Sequence, residues 1–155
     1  MPSVEVGTRA PAFSLRDQAG RRHRLRDYAG RPLVLYFYPK DDTPGCTKQA
    51  CAFRDALPDF EEGQAAVIGV SVLDVASKER FARKHKLDFP LLADEDHVVA
   101  ERYGVWRKKS LYGRSFMGIA RTTFLIGPDG RVAQRWDDVK VDGHADEVLQ
   151  ALEEL

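Results

Sequence analysis

The sequence predicts an α/β fold with a mixed central β-sheet flanked by helices. Leu33–Tyr38, Val67–Val72 and Thr123–Ile126 are apolar runs with no polar alternation, the pattern of strands buried on both faces. Stretches of helical periodicity follow the first two runs, which calls for crossover connections and parallel neighbours. Gly127-Pro128-Asp129-Gly130 lies between Thr122–Ile126 and Arg131–Trp136, and Asp-Gly between two strand-like runs signals an antiparallel hairpin. With 155 residues and no repeat, low-complexity tract or linker, one domain over residues 1–155 is expected.

Residues 1–12, with Pro2, Gly7 and Pro11, read as an irregular lead-in. Phe13-Ser14-Leu15 is a short strand, Gln18-Ala19-Gly20 a turn, and Arg22–Leu25 a second short strand. The basic cluster Arg21, Arg22, His23, Arg24 and Arg26 reads as a solvated hairpin rather than a phosphate site, because no aromatic residues interleave it. From Pro44, the residues Cys46, Ala50, Phe53, Leu57 and Phe60 recur at steps of four and three, one face of an amphipathic helix. Pro58 predicts an end or kink near Ala56–Leu57. Ser77–His85 is a weaker helix, Phe89–Leu92 is extended, and Glu95–Tyr103 is a short helix closed by Gly104. Asp94-Glu95-Asp96 reads as a turn and helix start rather than a calcium loop. Val105–Ile119, with Arg107-Lys108-Lys109 and Trp106, Tyr112, Phe116 and Met117, reads as a long loop, either for binding or a surface loop pinned by its aromatics. Ala145, Val148, Leu149, Leu152 and Leu155 mark a closing helix with Asp142 as its candidate cap.

Lys plus Arg and Asp plus Glu number 24 each, so no excess positive charge favours a nucleic acid or a membrane surface. No apolar run approaches the roughly 20 residues of a membrane helix. The start, Met-Pro-Ser-Val-Glu-Val-Gly, lacks a basic region followed by an apolar one, so no signal peptide is expected. Two cysteines make no disulfide framework, and a cytoplasmic protein with reduced thiols is the expectation.

Both cysteines lie in Pro39-Lys40-Asp41-Asp42-Thr43-Pro44-Gly45-Cys46-Thr47-Lys48-Gln49-Ala50-Cys51. Pro39 stops the strand, having no N–H for a ladder. Thr43 is a good N-cap type and Pro44 suits the first helical position, so Cys46 falls at N3. There its sulfur lies near unpaired backbone N–H groups and the positive end of the macrodipole, which favour the nucleophilic thiolate. Asp41 and Asp42 oppose it, so a cation must stand near the sulfur, and spacing alone does not say which. Cys51 follows five residues later. An intact helix separates the two Cα atoms by about 8.6 Å, beyond the roughly 4.4–6.8 Å of a disulfide. The histidines at 23, 85, 97 and 144 form no pair at zinc-ligand spacing, and no metal is expected.

Pro39-x-x-x-Thr43-x-x-Cys46 matches the Pro-x-x-x-Thr-x-x-Cys motif of peroxiredoxins. Phe37-Tyr38-Pro39 with Thr43-Pro44-Gly45-Cys46-Thr47 and Ala50-Cys51-x-Phe53-Arg54 resembles the PrxQ branch, also called bacterioferritin comigratory protein. The resemblance extends to Pro90–Asp94, Tyr103–Trp106 and Arg121–Ile126. It implies a thioredoxin-like fold and a thiol peroxidase without metal, haem or flavin. It implies Cys46 as peroxidatic cysteine, Pro39 as its shield, Thr43 orienting the peroxide, Arg121 as the missing cation and Cys51 as resolving cysteine. It further implies a sulfenic acid on Cys46, a Cys46–Cys51 disulfide of the atypical 2-Cys kind, and thioredoxin or a similar dithiol as reductant. A monomer is expected, with a dimer as the alternative. One departure is Gln49, where the family often has Glu to hold the arginine. A thioredoxin-type disulfide oxidoreductase, which would want Cys-x-x-Cys, and a non-enzymatic thioredoxin-fold module are the competing readings.

Overall fold

A computed structural model describes residues 4–155. The strands are β1 (Ser14–Arg16), β2 (Arg22–Arg24), β3 (Leu33–Phe37), β4 (Ala66–Ser71), β5 (Leu91–Ala93), β6 (Trp106–Leu111), β7 (Arg114–Ile119), β8 (Thr122–Ile126) and β9 (Val132–Trp136). The helices are α1 (Pro44–Glu62), α2 (Val75–His85), α3 (Val98–Arg102) and α4 (His144–Glu153). Seven strands form one sheet in the order β2-β1-β5-β4-β3-β8-β9. β3 pairs parallel with β4 and antiparallel with β8, and β4 pairs parallel with β5. The sheet is therefore mixed, with helical crossovers between its parallel strands, and the architecture is thioredoxin-like. No helix among the described residues is long and apolar enough to cross a membrane.

β3 is buried throughout and sends alternate residues to two cores. Leu33, Leu35 and Phe37 face Tyr103, Val99 and Phe124. Val34, Tyr36 and Tyr38 face Cys46, Phe53 and Phe60 of α1, Phe81 of α2, and Val148 and Leu152 of α4. The Tyr36 ring stacks on Phe53 at 4.7 Å between centroids. Burying Phe53 completely contributes about 1.5–3 kcal/mol to holding α1 on the sheet.

Several expectations change. Pro58 does not end α1, which continues to Glu62. The proline removes the ladder bond to the Arg54 carbonyl, but Phe60 beyond it is fully buried. That burial and the packing of Leu57 hold the last turn in helical form. Val105–Ile119 is not a loop but an antiparallel hairpin, β6 with β7, outside the main sheet. Tyr112 and Gly113 turn it with positive φ angles of 52° and 76°, as a two-residue hairpin turn demands. The helix expected over Glu95–Tyr103 shortens to Val98–Arg102. Its start is satisfied by the buried Asp94 carboxylate, which accepts from Val99 N–H and Ala100 N–H. Gly143 rather than Asp142 is the N-cap of α4, and Asp142 instead pairs with Lys48. The basic cluster does lie on the β1–β2 hairpin. Its His23 turns inward to Asp17 and Tyr28. Of the expected lead-in, residues 1–3, including Pro2, lie outside the described residues.

Candidate active site

The strand-to-helix passage from β3 to α1 carries the site. Thr43 is the N-cap of α1, Pro44 opens the helix, and Cys46 occupies its first turn. Thr43 does not cap with its side chain. Its hydroxyl instead donates to the Lys40 carbonyl at 2.8 Å, which leaves the oxygen's lone pairs and the first-turn N–H groups available. Pro39 sits half-buried where β3 gives way to this passage.

Cys46 is 1% exposed, so an unpaired thiolate there would stand in a poorly solvated place. Arg121, immediately before β8, answers that need: its Nη2 donates to Cys46 Sγ at 3.3 Å. Pairing of β8 with β3 fixes the guanidinium there, because Thr122 lies opposite Phe37. Its Nη1 donates to Gln49 Oε1 at 2.5 Å. A guanidinium can only donate, so the amide must turn its oxygen to Arg121. Gln49 Nε2 is left buried without a hydrogen-bond partner among the described residues, as is Tyr36 Oη. Cys51 lies farther along α1, partly exposed, and both cysteines are free thiols.

The two aspartates that threaten a thiolate are each occupied. Asp42 is exposed and pairs with Lys84 Nζ at 2.9 Å and His85 Nε2 at 3.0 Å. The hydrogen bond from Lys84, then that from His85, holds its carboxyl below the usual range. Asp41 is buried and receives Lys78 Nζ at 2.9 and 3.1 Å, Tyr38 Oη at 2.5 Å and Ser77 Oγ at 2.7 Å. Lys78 has no exposed surface. Burial pulls its ammonium below the ordinary lysine range, against the opposing pull of Asp41. Lys109 of β6 brings a further positive group: burial, and to a lesser degree Arg121, pull its ammonium below the ordinary lysine range, against the opposing pull of Cys46.

The structure thus brings Cys46, Thr43, Arg121 and Pro39 to one end of the sheet and sets Cys51 on a different part of α1. Lys78, Tyr38, Ser77 and Lys109 escaped the sequence reading. Lys78 had a signal: it precedes Phe81 and Ala82 by three and four positions, on the face of α2 that turns inward. Among the described residues, no group of three or more His, Cys, Asp or Glu side chains could hold a metal ion.

This fold and this cysteine–arginine centre define a thioredoxin-like protein built for thiol chemistry. Residues 6–135 match the AhpC/TSA family. Peroxiredoxin Bcp of Bacillus subtilis is 45% identical over 153 residues, covering 99% of this chain and 98% of that protein. The structure of a PrxQ mutant from Xylella fastidiosa superposes with a TM-score of 0.94 at 38% identity, over 99% of this chain and 98% of the other. The Xanthomonas campestris bacterioferritin comigratory protein superposes with a TM-score of 0.90 at 41% identity, over 97% and 98% of the two chains. The chain belongs to the AhpC/TSA family, as a peroxiredoxin of the PrxQ, or bacterioferritin comigratory protein, branch.

Proposed function

We propose that this thiol peroxidase reduces hydrogen peroxide and alkyl hydroperoxides through a sulfenic acid on Cys46 and a Cys46–Cys51 disulfide. The observation that carries the reading is the Arg121 guanidinium 3.3 Å from a buried sulfur in the first turn of α1. Alkyl peroxide reduction is named as an activity of the Xanthomonas campestris relative.

In the first step the Cys46 thiolate attacks one peroxide oxygen, forming the S–O bond as the O–O bond breaks. The departing alkoxide or hydroxide takes a proton and leaves as alcohol or water. Arg121 and the first-turn N–H groups donate toward the charge that develops on the stretched S–O–O system, and donors so placed act chiefly on the transition state. The Thr43 oxygen, donating to Lys40, is free to accept the peroxide O–H, and Pro39 shields the sulfur. In the second step the Cys51 thiol displaces the sulfenic hydroxyl, giving a disulfide and water. Thioredoxin or a similar dithiol then reduces that disulfide by exchange. The oxidised form requires α1 to unwind, because the helix keeps the cysteines beyond disulfide reach. The setting proposed is the cytoplasm.

Counting free thiols after one equivalent of hydrogen peroxide tests this. Wild type should lose two thiols per chain. Cys51→Ser should consume about one peroxide and stop at the sulfenic acid, and Cys46→Ser should not react. Multiple turnover by Cys46→Ser at the wild-type rate would end the assignment.

A further inference from the structure

The passage between β3 and α1 is fastened to α2 at both of its aspartates. Asp41 is buried against Lys78 and Ser77, which occupy the inward face of the first turns of α2. Asp42 meets Lys84 and His85 near the other end of the same helix. Between the two fastenings Asp42 holds a left-handed backbone, φ 57°. Aspartate tolerates that conformation, but it persists only when its surroundings impose it. The next residue is Thr43, so the backbone that aims the Thr43 hydroxyl and starts α1 is set by a constrained residue. The Lys78 ammonium has further company: Ser71 Oγ of β4 at 2.5 Å and the Tyr38 ring at 5.3 Å.

A buried ion pair gains little stability over apolar residues of equal volume, since two ions must be desolvated. What this pair supplies is a fixed position. Lys78 offers three donors, and they reach both oxygens of Asp41 and the Ser71 hydroxyl. The carboxylate is thereby tied to the C-terminal end of the interior strand β4 and to α2 together. Among the described residues no buried ion pair lies beside Cys51, where α1 meets α2 through Arg54, which donates to the His85 carbonyl at 2.7 Å.

We propose that Lys78 is a positioning residue for peroxide attack: through Asp41 it holds the Pro39–Thr43 segment in the conformation that reacts, without a part in disulfide formation. The proposal rests on the peroxidase reading above. Removing the tie lets the segment relax away from its left-handed turn, so Thr43 and the first-turn N–H groups lose their aim at the bound peroxide. Misplacement on that scale slows a reaction by roughly 10- to 100-fold. The second step, which needs the same region to open, is not slowed.

The two steps can be timed separately by rapid mixing with hydrogen peroxide. Attack is read as sulfenic acid formation in a Cys51→Ser background, and disulfide formation as the later phase with Cys51 present. Lys78→Met should slow attack roughly 10- to 100-fold and leave disulfide formation as fast as in wild type or faster. Asp41→Asn/Lys78→Met removes the lone buried carboxylate, and so carries the test if the single variant folds poorly. It should regain thermal stability while the attack defect persists. A folded variant of either kind that attacks peroxide at the wild-type rate overturns the proposal, as does an equal slowing of both steps. Return of rate and stability together in the double variant also overturns it, because that marks a purely structural role. A wild-type protein whose Cys46 fails to react would remove the peroxidase reading itself, before any variant is compared.

Discussion

Replacing Arg121 with alanine tests the electrostatics of the centre most directly. At the 3.3 Å separation of Nη2 and Sγ, two unit charges attract by about 5 kcal/mol at an effective dielectric of about 20 and about 1.3 kcal/mol at that of water. Arg121 is partly exposed and also serves Gln49, which keeps the loss below the upper end of that range. At about 1.4 kcal/mol per tenfold, peroxide attack should slow roughly 10- to 1000-fold. The thiolate absorbance of the reduced protein at neutral pH should fall with it. The same change strips Gln49 of its remaining partner. A buried amide oxygen without a donor costs about 1–3 kcal/mol, so the melting temperature should drop by about 2–4 °C for each of those kcal/mol. Arg121→Ala/Gln49→Leu separates the two effects: it removes the orphaned amide and should recover stability, but not rate. Rapid-mixing kinetics, thiolate absorbance and thermal melts on the four proteins of the cycle are the assay. Wild-type absorbance and wild-type rate in Arg121→Ala would take Arg121 out of the centre.

Three further predictions address other parts of the molecule. Amide exchange should show that oxidation removes protection from Thr47 to about Phe53; equal protection in both redox states, with the disulfide confirmed by mass, would refute the unwinding. Burial holds the His144 imidazole below the usual histidine range, against the hydrogen bond it gives to the Glu147 carboxylate. Its folded value lies under its unfolded one, so the stability it contributes is complete above about pH 6.5 and is lost as pH falls through the folded value. Melting temperature should therefore decline between pH 7 and 5, less so in His144→Gln; identical slopes would sink this account. Gly69→Ala would set a Cβ 2.8 Å from Tyr36 Cζ and 3.1 Å from Leu91 Cδ2. Tyr36 is stacked on Phe53 and cannot yield, so a loss of about 1–3 kcal/mol is expected, and an unchanged urea midpoint would contradict it.

The sheet was legible because burial on both faces leaves no room for polar residues. β3, β4 and β8 therefore stand out as apolar runs, displaced by no more than a residue at either end. The cysteine and its helix start were legible in the capping pattern of Thr43 and Pro44, and Arg121 through the resemblance. The β6–β7 hairpin was not, because most of both strands faces solvent and no alternation marks an inner side. Its one signal was Tyr112-Gly113 between two runs of six residues. Lys78 was hidden by its type: patterning treats lysine as an outward residue, and only its partner Asp41, 37 positions away, explains its burial. Pro58 misled because propensity is local, whereas Phe60 is held by contacts distant in sequence.

Pro58 has a consequence for how α1 comes apart. Helix propagation is cooperative because each residue added closes one more bond on the ladder. At position 58 the ladder lacks a rung, so α1 is two zippers end to end rather than one. Fraying that begins at Thr43 runs through the first zipper and meets a boundary before Phe60. The second zipper, with Phe60 buried and α4 packed alongside, belongs to the stable part of the molecule. An opening large enough to join Cys46 to Cys51 is thus a sub-global event, a small foldon lifting from a larger one. In the proposed cycle, repeated oxidation and reduction would leave the sheet, α2 and α4 folded beneath it.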